Sequence, residues 1–370
     1  MKILHSKSVV RETRAFMPPI DGSASGLRKG QSGRILVVGG SSEYTGAPFY
    51  ASMAALRSGA DIAHVACHPR AGAAIRTLSP ELIVHPCLDP VLTANEAAQR
   101  VLEIAKRVHV VVIGPGLSRD SFMLDVAARI LLGLKEQEKM VVLDADALFL
   151  CSQRPELVNG YRNAVLTPNH GEFLRLCETL NIPVSDNERV DAVNLLSSRL
   201  GCCIVLKGEE DIVSNGTSVC IRERGSPRRC GGQGDLLSGI IATFISWMLG
   251  AKAGLYSRQA NVPSTKDIGD KHIADALKGK TRVLEESRLS RNAIGDAGAA
   301  SVIVNLIDED VMADVPVLLL MCSAACILVK QVARRAFDMK GRAMTATLMV
   351  DVVGDVFSES FDEAESKKRN

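Results

Sequence analysis

Short apolar runs rich in valine, isoleucine and leucine alternate along the chain with longer segments in which apolar residues recur at helical spacing. The short runs predict strands at residues 34–39, 61–66, 81–84, 108–113, 140–144, 164–167 and 203–206. The longer segments predict helices at 47–59, 95–107, 121–137 and 345–361, and from Gly171, Asp235 and Pro316 onwards. Because the strands are apolar throughout and separated by helices, we predict an α/β fold with a mostly parallel central sheet and helices on both faces.

One long segment interrupts this alternation. Residues 252–314 are polar, charged and rich in turn-forming residues, which predicts a surface insertion rather than a second domain. We therefore expect an N-terminal arm at 1–28 and a single domain at 29–370 that carries the insertion. The apolar run at 315–329 contains Pro316 and is shorter than a bilayer span, so we interpret it as a buried helix and expect no membrane association.

The composition argues against several classes of function. The 370 residues have a formal net charge of +2 with acids and bases interspersed, so nothing indicates a nucleic-acid-binding face. The ten cysteines lack the paired spacing of metal sites, and reduced thiols in an intracellular compartment are the better interpretation. We expect a cytoplasmic location because no secretory signal is visible, with the mitochondrion as the alternative because residues 1–14 are basic.

The most informative segment is Cys-Gly-Gly-Gln-Gly-Asp at 230–235, which leads directly into an apolar helix. Glycines let the backbone approach an anion closely, and the free N–H groups of a helix start favour a phosphate. Asp235 then lies in the first turn as a candidate base. A glycine-rich turn with an aspartate that caps the helix would explain the same residues.

Two glycine-rich loops follow predicted strands. Residues 37–46 lack the G-x-G-x-x-G spacing of dinucleotide-binding loops, so a tight turn explains them equally well. In the second loop, Gly116 would let the backbone approach a ligand, and Ser118 or Asp120 would cap the next helix. Both loops are candidates for lining a ligand because motifs after parallel strands gather at one edge of the sheet.

Carboxylates follow two other strands. Asp144 and Asp146 come after the strand at 140–144, and one could hold a metal or water while the other caps a short helix. Asn169 and Glu172 lie three residues apart at a helix start, where both could reach one Mg²⁺ through its waters. The alternative for this second pair is a capping box.

Basic residues complete the candidate site. Lys207 follows the strand at 203–206 and could meet a phosphate, or it could belong to a solvated charged turn. Arg228 and Arg229 precede the glycine motif, where two guanidinium groups would suit phosphate neutralisation. Ordinary surface arginines are the alternative.

Several of these segments together resemble the ATP-dependent NAD(P)H-hydrate dehydratases. The similar segments are KGQSGR at 29–34, EYTGAP at 43–48, SPELIVHP at 79–86, LTPNHGEF at 166–173 and GSPRRCGGQGD at 225–235. The similarity covers about residues 29–250 and resumes from about 322 to 361, in the same order. The chain departs from the family at Ser118, where glycine is frequent, and in the length of the 252–314 insertion.

The resemblance implies a ribokinase-like fold and repair of hydrated nicotinamide cofactors, with Asp235 as the catalytic base. It implies contacts to the hydrated dinucleotide, NADHX or NADPHX, from Gly116, Asn169, His170, Gly171, Glu172, Phe173, Leu174, Arg175 and Asp235. It implies contacts to ATP from Lys207, Gly208, Glu209, Glu210, Asp211, Gly225, Ser226, Pro227, Arg228, Arg229, Cys230, Gly231, Gly232, Gln233 and Gly234. Mg²⁺ as cofactor, with Glu172 contacting it through water, a homo-oligomer and an NAD(P)HX epimerase partner are further expectations.

Phosphorylation makes chemical sense for such a dehydration. Hydroxide is a poor leaving group because water has a pKa near ~15.7, whereas the second pKa of a phosphate ester is about 6. Two other functions fit the same residues: a kinase of the same fold that phosphorylates a sugar or vitamin alcohol, and a noncatalytic nucleotide-binding regulatory module. Asp235 argues against the noncatalytic module, and a phosphorylated product that persists would favour the kinase.

Overall fold

The computed structural model describes residues 2–20, 26–185, 188–256 and 315–362. The strands are β1 (Lys2–Leu4), β2 (Arg34–Val38), β3 (Ile62–Ala66), β4 (Ile83–His85), β5 (Val110–Ile113), β6 (Met140–Leu143), β7 (Ala164–Leu166), β8 (Cys203–Leu206), β9 (Asp211–Ser214) and β10 (Ser218–Ile221). The α-helices are α1 (Ser6–Thr13), α2 (Gly46–Arg57), α3 (Pro69–Leu78), α4 (Ala94–Ala105), α5 (Ser121–Glu136), α6 (Asp146–Gln153), α7 (His170–Thr179), α8 (Arg189–Leu200), α9 (Gln233–Lys252), α10 (Val317–Lys340) and α11 (Ala346–Phe357).

All ten strands form one sheet in the order β1-β10-β9-β8-β7-β6-β5-β2-β3-β4. Neighbouring strands are parallel except in the pairs β10–β9 and β9–β8, which are antiparallel. Strands β9 and β10 form a hairpin with Asn215 and Gly216 in its turn. The predicted α/β class with a mostly parallel sheet is confirmed.

Helices cover both faces of this sheet. On one face α1, α2, α3, α9, α10 and α11 bury their apolar residues in one core cluster. On the other face α4, α5, α6, α7 and α8 do the same in a second cluster. Buried strands therefore carry apolar residues on both sides, which is why the sequence shows continuous apolar runs instead of alternation.

The close contact of α2 with α9 fixes the position of α9 over the sheet. A Cβ atom on Gly239 would lie 2.0 Å from the carbonyl oxygen of Ala51, so only glycine allows the two helix backbones to approach this closely. The start of α9, which carries Asp235, is thereby held beside the start of α2.

In the part of the chain that the structure describes, two segments are long and apolar enough by composition to cross a bilayer, Gln233–Lys252 and Val317–Ala343. In each of them 78% of the most apolar window is buried inside the protein. Their apolar side chains pack in the core that covers one face of the sheet, which is the environment predicted for the helix after Pro316.

The N-terminal segment differs from the expected arm. Residues Lys2, Ile3 and Leu4 pair in parallel with Val219, Cys220 and Ile221, so β1 is an edge strand of the sheet. The segment joins the domain because β10 offers an open edge and because α1 has an apolar face to bury.

Of the predicted 252–314 insertion, all but the first five residues lie outside the described part of the chain. At the C-terminus, α11 ends at Phe357 and a π-helical turn, Ser358–Asp362, completes the segment predicted as one helix.

Candidate active site at the carboxyl edge of the sheet

The carboxyl ends of β2, β5, β6, β7 and β8 form one edge of the sheet, here called the carboxyl edge, and the loops singled out in the sequence lie there. Gly40 donates its N–H to the carbonyl oxygens of Pro115 and Gly116, each at 3.1 Å. A Cβ atom on Gly114 would lie 1.8 Å from the carbonyl oxygen of Asp144, so this approach requires glycine. The loops after β2, β5 and β6 therefore pack into one continuous floor.

Lys207 lies at the centre of this edge. Its Nζ is 2.8 Å from Oδ1 of Asp144 and 4.0 Å from Oε2 of Glu172. Burial alone would lower the pKa of Lys207, but the charges of Asp144 and Glu172 outweigh it and raise that pKa. Lys207 is therefore a firmly held ammonium group, and Asp144, only 1% exposed, is its buried counter-charge.

Asp235 is the third residue of α9, behind Gly232, whose φ is +92°. Burial and the negative charge of Asp144 together raise the pKa of Asp235 to about 7, although Lys207 partly opposes the rise. A Cβ atom on Gly234 would lie 3.4 Å from Nζ of Lys207, so the start of α9 faces the Lys207–Asp144 pair. The carboxyl group of Asp235 can consequently exchange a proton near neutral pH, as a general base requires.

Asn169 and Glu172 form a capping box at the start of α7. Oδ1 of Asn169 accepts from the Glu172 N–H at 3.0 Å, and Oε2 of Glu172 accepts from the Asn169 N–H at 2.7 Å. The alternative interpretation of this pair therefore holds in the structure. Burial raises the pKa of Glu172, and the nearby charge of Lys207 opposes the rise. The box presents Asn169 and His170, both exposed, at the rim of the site.

These residues fit magnesium only as an ion delivered with a nucleotide. Within the described ranges, no three His, Cys, Asp or Glu side chains are grouped to hold a metal. Magnesium commonly binds to one or two carboxylates together with substrate phosphates, and it keeps several waters. Glu172 suits a contact to magnesium through water, because only one of its two carboxyl oxygens caps α7.

Lys330 on α10 shapes the loop after β8, and the sequence reasoning missed it. Its Nζ donates to the carbonyl oxygens of Gly208 at 3.3 Å and Glu209 at 2.5 Å, and it lies 3.3 Å from Oδ2 of Asp211. Oδ1 of Asp211 accepts from the Gly208 N–H at 2.8 Å. The carboxylate of Asp211 is thus committed to the loop itself. A lone lysine within the long apolar run of α10 was the available signal.

Arg228 and Arg229, which precede the glycine motif, have different surroundings. Arg228 donates through Nη1 to the carbonyl oxygen of Arg342, so its guanidinium is held by the turn that precedes α11. Arg229 is exposed. Oε1 of Gln233 is buried and has no hydrogen-bond partner among the described residues. Both Arg229 and Gln233 therefore retain unused hydrogen-bonding capacity beside the start of α9.

The loop after β5 tolerates Ser118 in a left-handed conformation, with a φ of +73°. The N–H of Ser118 donates to Oδ2 of Asp146 at 2.8 Å, which stabilises this backbone. Ala145, between the two acids after β6, has a φ of +49°. Strained backbone of this kind commonly marks functional sites. The predicted helix cap is Asp120, which accepts from Phe122 and Met123, while Asp146 binds the neighbouring loop.

Not every residue assigned to the dinucleotide can reach it through its side chain. Phe173 is 0% exposed and packs in the core, so the predicted contact from Phe173 would have to come from its backbone. Its neighbours Leu174 and Arg175 are exposed, as is Gly171. Phe173 differs from these neighbours because the side chains of a helix point in all directions around its axis. Among the seven residues at 169–175, one side chain must therefore face the sheet.

Comparison with known proteins identifies the family of this chain. A family model described as NAD(P)H-hydrate dehydratase matches residues 35–283. The ATP-dependent (S)-NAD(P)H-hydrate dehydratase of Bos taurus is 38% identical over 360 residues, covering 96% of this chain and 90% of that protein.

Two solved structures share the fold. A ribokinase-like superfamily protein from Enterococcus faecalis has a TM-score of 0.63 at 18% identity, covering 97% of this chain and 96% of that one. The ADP/ATP-dependent NAD(P)H-hydrate dehydratase from Bacillus subtilis, co-crystallised with ATP and Mg²⁺, has a TM-score of 0.60 at 17% identity, covering 97% and 99%. The fold is therefore ribokinase-like, and by its sequence the chain belongs to the NAD(P)H-hydrate dehydratase family.

Proposed function

We propose that this protein uses ATP to dehydrate (S)-NADHX and (S)-NADPHX back to NADH and NADPH. The family membership supports the reaction. The observation that carries the proposal for this chain is Asp235, a partly buried carboxyl group with a pKa of about 7 at a helix start that faces the Lys207–Asp144 pair.

In the first step the hydroxyl oxygen of the hydrated ring attacks the terminal phosphorus of ATP. Asp235 accepts the hydroxyl proton, the bond to the bridging oxygen breaks, and ADP leaves. The N–H groups at the start of α9 and the ammonium of Lys207 supply positive charge where the phosphoryl oxygens become more negative. Magnesium, held by the nucleotide phosphates and through water by Glu172, would neutralise further charge on those oxygens.

In the second step the lone pair of the ring nitrogen expels the new phosphate group. The adjacent ring carbon then loses a proton, and the double bond of the reduced nicotinamide returns. One ATP is therefore converted to ADP and phosphate for each coenzyme repaired.

The finer expectations belong to the same proposal. Gly116 and the exposed residues at the start of α7 would line the dinucleotide, while residues 207–211 and 225–234 would contact ATP. A homo-oligomer, an epimerase that interconverts NAD(P)HX epimers, and a cytoplasmic or mitochondrial location complete it.

The test is turnover of hydrated NADH with Mg-ATP by the wild type and by Asp235→Asn. We expect the variant to lose about 10²–10⁴-fold in kcat and to keep ATP binding, because only the proton acceptor is removed. Recovered absorbance of reduced nicotinamide and released phosphate are measured together. Asp125→Asn, which breaks a surface pair with Arg129 on α5, is the matched control and should be unaffected. Equal rates for wild type and Asp235→Asn would refute the mechanism, and a persistent phosphorylated product would indicate a kinase.

A further inference from the structure

Basic side chains form a row across five adjacent strands, which begins at the amino edge of the sheet, opposite the proposed catalytic centre. At that edge this basic row consists of Lys139 before β6, His109 before β5 and Arg34 at the start of β2. It continues along the same face of the sheet through His64 in the middle of β3 to His85 at the end of β4. Strand register and alternation place Arg34, His64 and His85 on the sheet face that α4 and α5 cover. Arg107, just after α4, lies exposed at the same edge.

The centre of the basic row lacks a hydrogen-bond acceptor. Nδ1 of His109 lies 3.2 Å from the backbone N–H of Arg34, which can only donate, so Nδ1 is the acceptor. In the neutral ring the proton is then on Nε2, which lies 3.2 Å from Nη2 of Arg34, another donor. Nε of the same guanidinium is buried and finds no acceptor in the described parts of the chain. Donors therefore face donors, which is costly unless something else accepts.

The cations of the basic row have no directly paired carboxylate in the described parts of the chain. Among residues 2–20, 26–185, 188–256 and 315–362, no carboxylate oxygen lies within 4.0 Å of Arg34, Arg107 or Lys139. The nearby acid is Asp61, whose charge acts on His109 and whose Oδ2 accepts from the N–H groups of Gly30 and Ser32 at 2.7 and 3.0 Å.

The three histidines add hydrogen-bonding capacity but no charge. Burial, together with the charges of Arg34 and Lys139, lowers the pKa of His109 to about 4, although the charge of Asp61 opposes this. Burial likewise lowers the pKa of His64 to about 4, assisted by His85 and Arg107. The positive charge at this edge therefore comes from the guanidinium and ammonium groups, and their mutual repulsion favours an anion between them.

We propose that the basic row binds a phosphate group, whose oxygens accept from Arg34 and His109 and whose charge is balanced by Arg107 and Lys139. A tetrahedral oxyanion offers several acceptors to donors that now face one another, and it pairs well with a guanidinium fork. This site lies at the edge of the sheet opposite Asp235, so its ligand is a second anion and not the phosphate that reacts. Free inorganic phosphate and the phosphate of a nucleotide share this chemistry.

The experiment follows the His109 imidazole by NMR while inorganic phosphate is added to full-length protein, with sodium chloride at matched ionic strength as reference. A non-hydrolysable ATP analogue is present throughout one arm, to occupy the nucleotide site, and is titrated alone in another. We expect phosphate to shift the His109 resonances and raise the His109 pKa in both phosphate arms. A shift caused only by the analogue would identify a nucleotide phosphate as the ligand.

Variants make the outcome decisive. Arg34→Met should weaken phosphate binding at His109 about tenfold or more, and Arg107→Gln, at an exposed position that does not threaten folding, about threefold. Lys106→Met is the matched control, because its ammonium pairs with Glu103, and it should bind as the wild type does. Histidine resonances that ignore phosphate and the analogue, or equal affinity in wild type, Arg34→Met and Arg107→Gln, would overturn the proposal and leave only water as the missing acceptor.

Discussion

The two edges of the central sheet both collect charged side chains, but they treat charge in opposite ways. At the carboxyl edge Lys207 is 2.8 Å from Asp144, and Lys330 is 3.3 Å from Asp211, so each buried cation has an acid beside it. At the amino edge Arg34, Lys139 and the histidines meet donors or carbonyl groups instead. The paired edge holds its loops in place before any ligand arrives, whereas the unpaired edge gains most from a ligand that supplies negative charge.

The pairing of Lys207 also explains why the pKa of Asp235 at the carboxyl edge is raised. The positive charge of Lys207 is already balanced by Asp144 and Glu172, so it lowers the pKa of Asp235 too little to offset burial. An aspartate beside an uncompensated lysine would be a weak base at neutral pH. The paired charges at the carboxyl edge thus adjust the pKa of a proton acceptor, whereas the unpaired cations at the amino edge attract an anion.

The largest expected effect is a difference in stability between two variants. One variant breaks an ion pair at the carboxyl edge, and the other removes an unpaired cation at the amino edge. Lys207→Met should lower the free energy of unfolding by about 2–4 kcal/mol, because it leaves Asp144 buried without its partner. Arg34→Met removes a cation without an acidic partner and should cost less, or even stabilise the protein in a phosphate-free buffer. Urea unfolding of both variants measures the comparison. Equal losses would show that the two edges do not differ in this respect.

The pH dependence of Asp235 should be nearly as large. Its folded-state pKa of about 7 lies above the unfolded value, so the folded protein binds more protons between about pH 4 and 7, and stability falls as pH rises through that window. The loss should level off above pH 7 at about 2–4 kcal/mol relative to Asp235→Asn, which has no such group. Turnover should respond in the opposite sense, with kcat/KM at pH 5 about 100-fold below its high-pH plateau. Parallel stability curves for the two proteins would contradict the assignment.

A smaller effect should separate loop shaping from catalysis. Lys330→Met should raise KM for ATP about tenfold with little change in kcat, because the carbonyl groups of Gly208 and Glu209 lose the donor that orients them. Asp211→Asn should act in the same direction, since both residues hold one loop. Arg334→Met, on the same helix as Lys330, removes a partly exposed pair with Glu223 in the segment after β10 and is the control. A fall in kcat at unchanged KM would place Lys330 in the chemical step instead.

Much of the fold was predictable because a parallel sheet leaves a strong pattern. Continuous apolar strands between helices identified the class, and motifs after strands had to converge on the carboxyl edge. The features that could not be predicted from the sequence depend on partners that are distant along the chain. Lys330 reaches a loop more than a hundred positions earlier in the chain, as the separation of 122 residues from Gly208 shows. The inward direction of Phe173 depends on the rotation of α7 against the sheet, and the three residues of β1 are too few to show a pattern.

Parallel pairing of Lys2–Leu4 with Ser218–Ile221 has a consequence for biosynthesis. Lys2–Leu4 is synthesised more than two hundred residues before its partner, so this pair of strands cannot form until translation has passed Ile221. Until then the backbone groups of Lys2–Leu4 remain available to other chains, which is the usual starting point for aggregation. Production of this protein should therefore benefit from chaperones that shield Lys2–Leu4 during translation.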